Sequence, residues 1–103
     1  MNDILILELD GKLEDDYKLY ETQIQELIKN ENKVILDCEK LLYINSLGLR
    51  VLLRIFKQLL QKQGKLIFCK LNQNVKDVFL ITGFMQLFEI YKTIDEAIQH
   101  LNK

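Results

Sequence analysis

Ser46, Cys38, Cys69 and His100 are side chains of this 103-residue sequence that could act as nucleophile, base or metal ligand. Cys38 and Cys69 each end a strand-like run and lie far apart, without the short spacing of a redox or zinc motif, so they read as buried structural thiols. His100 falls in the last helical stretch, a place for a surface or half-buried imidazole. An enzyme would need a base or a paired carboxylate beside its nucleophile, and no residue is evidently placed to serve Ser46 or either thiol in that way. The sequence therefore points to no catalytic residue, no metal and no cofactor. What remains is Ser46, whose meaning depends on the segment around it.

Ser46 sits in the segment Tyr43-Ile44-Asn45-Ser46-Leu47-Gly48-Leu49. Asn45 and Ser46 are both residue types that cap a helix N-terminus by accepting backbone N–H bonds, and a cap is the plain reading of the segment. At 100° per residue, the helix from Ser46 to about Gln63 gathers Leu49, Leu52, Leu53, Ile55, Phe56, Leu59 and Leu60 on a buried arc. Arg50, Arg54, Lys57, Gln58 and Gln61 form the polar arc. Leu47 falls within the polar arc, an aliphatic side chain beside a basic stripe at the helix end that favours anions. A scattered surface leucine is one explanation and a contact surface is the other. Gly48 would let another backbone approach closely, or serve packing.

The elements that position this segment alternate. Residues 4–9 read as a strand ended by the Asp10-Gly11 turn, and a helix runs from about Asp15 to Lys29 with Leu19, Tyr20, Ile24, Leu27 and Ile28 on one face. Lys33–Cys38 and Lys65–Lys70 are buried strands, the second preceded by Gly64 as the left-handed residue that stops the long helix. Asn72 caps a helix whose apolar face includes Val75, Val78, Phe79 and Ile81, ending at Gly83. Residues 87–91 form a short strand, and Thr93-Ile94-Asp95-Glu96 is a capping box that opens a last helix to about Leu101. The order β-α-β-α-β-α-β-α implies an α/β fold with a mainly parallel sheet of four to five strands and right-handed crossovers.

Composition narrows the function classes. The length fits one domain, 1–103, and 49% apolar with 28% charged residues suits an ordinary globule. Fourteen basic against fifteen acidic residues, with no block of like charge, argue against a nucleic-acid surface. No apolar run approaches the ~20 residues needed to span a bilayer, and no signal-like start is evident, so membrane insertion is not expected and the chain reads as cytoplasmic.

Several separate matches in one register carry a family resemblance. Val34-Ile35-Leu36-Asp37, the Ser46 segment, the Gln63-Gly64-Lys65 turn, and Asn74-Val75-Lys76-Asp77-Val78-Phe79 with Thr82-Gly83 resemble bacterial anti-sigma factor antagonists, which are STAS domains. The resemblance implies a STAS-like fold and a partner-switching role in transcription. Ser46 matches the serine that the family's anti-sigma factor, a serine kinase of the histidine-kinase-like ATPase type, phosphorylates. The unmodified antagonist binds that kinase and frees the sigma factor, and the modified one lets go. Asn45 stands where the family has aspartate, Leu47 where it has serine or threonine, and Glu14 where an N-terminal Gly-Glu-Ile/Leu-Asp element has aspartate. The family also has a strand before the one at residues 4–9, so the resemblance implies either a sheet short by a strand or an edge open to a partner. The resulting expectation is phosphorylation at Ser46 and a partner surface of Glu14, Asn45, Ser46, Leu47, Gly48, Arg50, Val51 and Arg54. A STAS scaffold that never carries phosphate, or a regulatory subunit of a transporter or signalling complex, is the alternative.

Overall fold

Alternation along the second and third strands decides how the sheet is covered. In a computed structural model, which describes residues 4–13 and 17–102, Val34, Leu36 and Cys38 point to one face, while Ile35 belongs to the core on the other. The strands are β1 (Ile4–Leu13), β2 (Lys33–Ile44), β3 (Lys65–Cys69) and β4 (Glu89–Tyr91). They pair in the order β1-β2-β3-β4, all parallel. The helices are α1 (Tyr17–Ile28), α2 (Ser46–Gln61), α3 (Gln73–Thr82), α4 (Phe84–Leu87) and α5 (Ile94–Leu101).

The larger core lies on the face covered by α1, α2 and α3, with Ile24, Ile28, Leu52, Ile55, Leu59, Val75 and Phe79 packed on Val34, Leu36, Leu66 and Phe68. All five phenylalanines join there: Phe68 stacks on Phe88 with centroids 4.6 Å apart, Phe56 and Phe84 meet Phe88 edge-on at 5.2 Å each, and Phe79 lies 5.6 Å from Phe68. Such offset and edge-on pairs add about 0.5–1.5 kcal/mol each beyond area burial. The opposite face is covered by α5, whose Ala97 and Leu101 close over Ile35, Ile67 and Cys69.

Because the four described strands follow one another in sequence order, the sheet they form has no interior point where strand order reverses, the usual place for a small-molecule crevice in open α/β sheets. The architecture instead presents loops and helix starts at the carboxyl ends of its strands.

Several expectations about the elements are corrected. Asp10-Gly11 does not end β1: Gly11 takes φ +69° inside the strand, at register shifts between Glu8 and Asp10 and between Gly11 and Lys12, so its freedom serves bulges and not a turn. β2 runs on from Cys38 to Ile44 because the prolonged β1 supplies a partner there, whereas β3 pairs only as far as Asp37. Residues 84–87 form α4, opened by Gly83 at φ +84° and closed by Phe88 N donating to Phe84 O at 3.0 Å, so Leu87 and Phe88 leave the last strand, which begins at Glu89. The left-handed residue after α2 is Gln63, at φ +61°. Gly64 is required for space: a Cβ there would come 2.6 Å from the Asn32 carbonyl oxygen. Leu27, Leu60 and Ile81, expected inside, lie exposed. The expected helix start at Asp15 and its Leu19 and Tyr20 contacts lie outside what the structure describes at side-chain level.

Candidate functional site

A helix start needs its first amides satisfied, and the residue that provides this at α2 is Asn45. Its backbone is extended, at φ −117° and ψ −172°, and its Oδ1 accepts from Leu47 N at 3.0 Å and Gly48 N at 3.1 Å. Leu49 N donates to the Asn45 carbonyl at 2.9 Å and so begins the helical ladder. Of the two candidate caps, Asn45 fills the role alone. Ser46 is thereby displaced to the first helical position, exposed, with its hydroxyl unengaged by any described residue.

The surroundings of Ser46 are set by β2. Ile44 pairs with Leu13, so the end of β1 runs beside the Asn45–Ser46 junction; Glu14, the next residue, lies outside the described residues. Just before the junction, Leu42 and Tyr43 are 58% and 42% exposed. Neither is marked as a surface residue by the sequence pattern. They stand out because β2 outlasts β3, and a sequence shows the length of a strand's partner poorly. The start of α3 is tied to the same stretch of β2, since Asn72 Nδ2 donates to Leu41 O at 2.7 Å while Asn72 Oδ1 accepts from Val75 N.

The expected partner surface divides. Ser46 and Arg50 are exposed, while Asn45 and Leu47 are partly covered, so Leu47 presents only part of its side chain. Val51 is 0% exposed within the main core, which removes it from any contact surface, and Gly48 is buried as well, its approach closed by the chain itself. Arg54 is half exposed but engaged: its Nη1 donates to Glu21 Oε1 of α1 at 2.9 Å. Glu21 is 93% buried by residue, since only 7% of its surface remains accessible, and its Oε2 has no partner among the described residues. Breaking one side of such a covered pair strands the other charge, so Arg54 first of all clips α1 to α2.

The thiols are inert. Cys38 and Cys69 are both buried, on opposite faces of the sheet, so no bond can join them. Cys69 donates to the Thr93 carbonyl, with sulfur and oxygen 3.4 Å apart, and burial first, then the Asp37 carboxylate, push its thiol up to about 11. Cys38 is driven further in the same direction by the same two causes. A reactive cysteine needs the reverse, a stabilised thiolate. His100 belongs to α5, where its Nε2 lies 2.9 Å from Glu89 and its ring packs against Tyr91. It borders a hollow of about 200 Å³ lined by Tyr91, Glu96, Gln99 and His100, formed by β4 and α5 and sharing no residue with the Ser46 surface. Among the described residues no cluster of three or more His, Cys, Asp or Glu could hold a metal, and no helix is long and apolar enough to cross a membrane.

Comparison with known proteins supplies the context for this geometry. The STAS domain family profile matches residues 1–97. Over 69 residues, 67% of the chain, the sequence is 45% identical to BtrV of Bordetella bronchiseptica, assigned as an anti-sigma factor antagonist; the match spans 60% of that protein's length. It is 27% identical over 101 residues to an anti-sigma F factor antagonist of Paenibacillus polymyxa, covering 95% of this chain and 86% of that one. The backbone follows the crystal structure of a Thermotoga maritima protein, also assigned as an anti-sigma factor antagonist, with a TM-score of 0.89 at 24% identity, over 100% of this chain and 91% of that one. That likeness is one of fold.

Proposed function

The chain belongs to the STAS domain family, and from that premise we propose that it is an anti-sigma factor antagonist, a cytoplasmic binding switch and not an enzyme. In this reading it binds an anti-sigma factor that is also a serine kinase, and is released when Ser46 is phosphorylated. The observation that carries the reading is the exposed, unengaged Ser46 hydroxyl, held at the first position of α2 by a cap that does not use it. Ser46 is also the only serine in the sequence. The relatives named as antagonists support the partner class.

The transfer would take its phosphoryl group from ATP. The bond from Ser46 Oγ to phosphorus forms as the bridging bond to ADP breaks, and the hydroxyl proton passes to a base of the kinase. The product carries about −1.5 to −2 charges on a surface that otherwise shows a serine hydroxyl, Leu47 and Arg50. A partner seated there must desolvate that charge or move away from it, and a loss of ~3 kcal/mol lowers affinity more than 100-fold. The fold itself tolerates the change, because negative charge is favourable at a helix start and α2 has no acidic residue in its first turn.

Incubation with the cognate kinase and ATP, followed by intact-mass and fragment analysis, tests this reading: one phosphoryl group on Ser46 is expected. A second reading, a scaffold that never carries phosphate, is favoured by the neutral Asn45 and by Leu47 where the family's motif has hydroxyl residues. It prevails if the kinase leaves Ser46 unmodified while Leu47→Asp still abolishes the partner complex.

A further inference from the structure

We propose that Arg50 is the counter-ion of the phosphoryl group on Ser46, so that one guanidinium faces the partner in the unmodified protein and is captured within α2 after modification; this rests on the reading of Ser46 as the modified residue. The spacing is the first ground. Residues four apart on a helix share a face with Cβ atoms about 6 Å apart, within reach of an arginine side chain, and both Ser46 and Arg50 are exposed.

The second ground is that the backbone at this helix start is already occupied. Asn45 Oδ1 takes the amides of Leu47 and Gly48, and the Asn45 carbonyl takes that of Leu49. A phosphoryl group arriving at Ser46 therefore finds those three first-turn donors in use, and a cationic side chain on the same face adds charge that they do not supply.

Among the described residues of α2, Arg50 is the available one. No ion pair engages it among the described residues, whereas the next arginine along the face, Arg54, is held by Glu21. Lys57 lies a further three residues on, about three turns from Ser46 and out of reach. The rest of α2 offers no competing carboxylate, because the helix sequence contains no acidic residue. The planar guanidinium also suits paired hydrogen bonds to phosphate oxygens in a way an ammonium does not.

The switch then has two parts acting together. Phosphorylation adds negative charge to the docking surface and withdraws a positive one from it. An acidic group on the partner that reads Arg50 in the unmodified protein loses its contact at the moment it meets a like charge.

The test installs phosphoserine at position 46 during translation, so that no kinase is involved, and follows its second ionisation by phosphorus NMR in the Arg50, Arg50→Lys and Arg50→Gln proteins. The phosphoserine pKa, ordinarily about 6, is expected to rise by roughly 0.3 unit or more in Arg50→Gln and by less in Arg50→Lys. The difference should shrink in 1 M salt, where the Debye length is about 3 Å. Equal ionisation in all three proteins, with unmodified Arg50→Gln melting like the parent, overturns the proposal. Such a result would leave the phosphorylation of Ser46 untouched, since that stands on the kinase reaction alone.

Discussion

Asn45 and Ser46 divide the work that the sequence offered to both. The carboxamide closes the helix start, and this frees the hydroxyl for other chemistry. Asn45→Ala is expected to lose about 1 kcal/mol of stability, measurable as a lowered denaturant midpoint, while Ser46→Ala leaves that midpoint nearly unchanged. The thiols make the opposite point, that residue type alone does not confer chemistry. Cys69 ionises near 9 when unfolded and near 11 when folded, so between those values the unfolded chain sheds a proton that the folded one keeps. Its contribution to stability is whole below pH 9 and is lost as pH rises through 11. Melting measured from pH 8 to 11 should therefore fall more steeply in the parent than in Cys69→Ala. The environment of each residue was only partly legible in advance: cysteines at strand ends signal burial, but the choice between two adjacent capping residues depends on where the last strand residue leaves the chain.

At the scale of elements, α2 is both a wall of the core and the carrier of the site. Leu52, fully buried between the sheet and the neighbouring helices, should cost about 2–5 kcal/mol on truncation to alanine. Two aspartate substitutions four residues apart separate the two roles. Val51→Asp buries an unpaired charge and should prevent folding, seen as loss of cooperative unfolding, whereas Leu47→Asp should fold and lose only partner binding. The helical period revealed most of this helix, including the basic face with Arg50 and Arg54. It misassigned Leu60 as buried, because Leu60 lies on the edge of the arc with Leu53 and Phe56, which are themselves only partly covered. It could not reveal Glu21 as the partner of Arg54, since a pair formed 33 residues apart leaves no local pattern. Gly64 is a similar case: glycine after a helix suggested a left-handed turn, yet the constraint is the Asn32 carbonyl 2.6 Å from where a Cβ would lie. Gly64→Ala should destabilise through that backbone contact, whereas Gly11→Ala, with nothing within 4 Å of the added carbon, would suffer only its positive φ.

For the whole molecule, strand order and face assignment matter more than any single contact. Alternating strand and helix signals made the parallel sheet and its helices legible, because each element carries its own periodicity. The lengths of β1 and β2 were not, since each depends on the other for its last residues. That mutual extension carries the end of β1 alongside the stretch of β2 that leads into Ser46, where Leu42 and Tyr43 are exposed. The account as a whole holds that this surface binds a partner protein and that charge on Ser46 controls the binding. Calorimetric titration of the anti-sigma factor with the unmodified protein and with protein carrying phosphoserine at 46 tests that most directly. The account predicts binding to the unmodified form and an affinity at least about 100-fold weaker for the phosphorylated one; equal affinities for the two forms would contradict it.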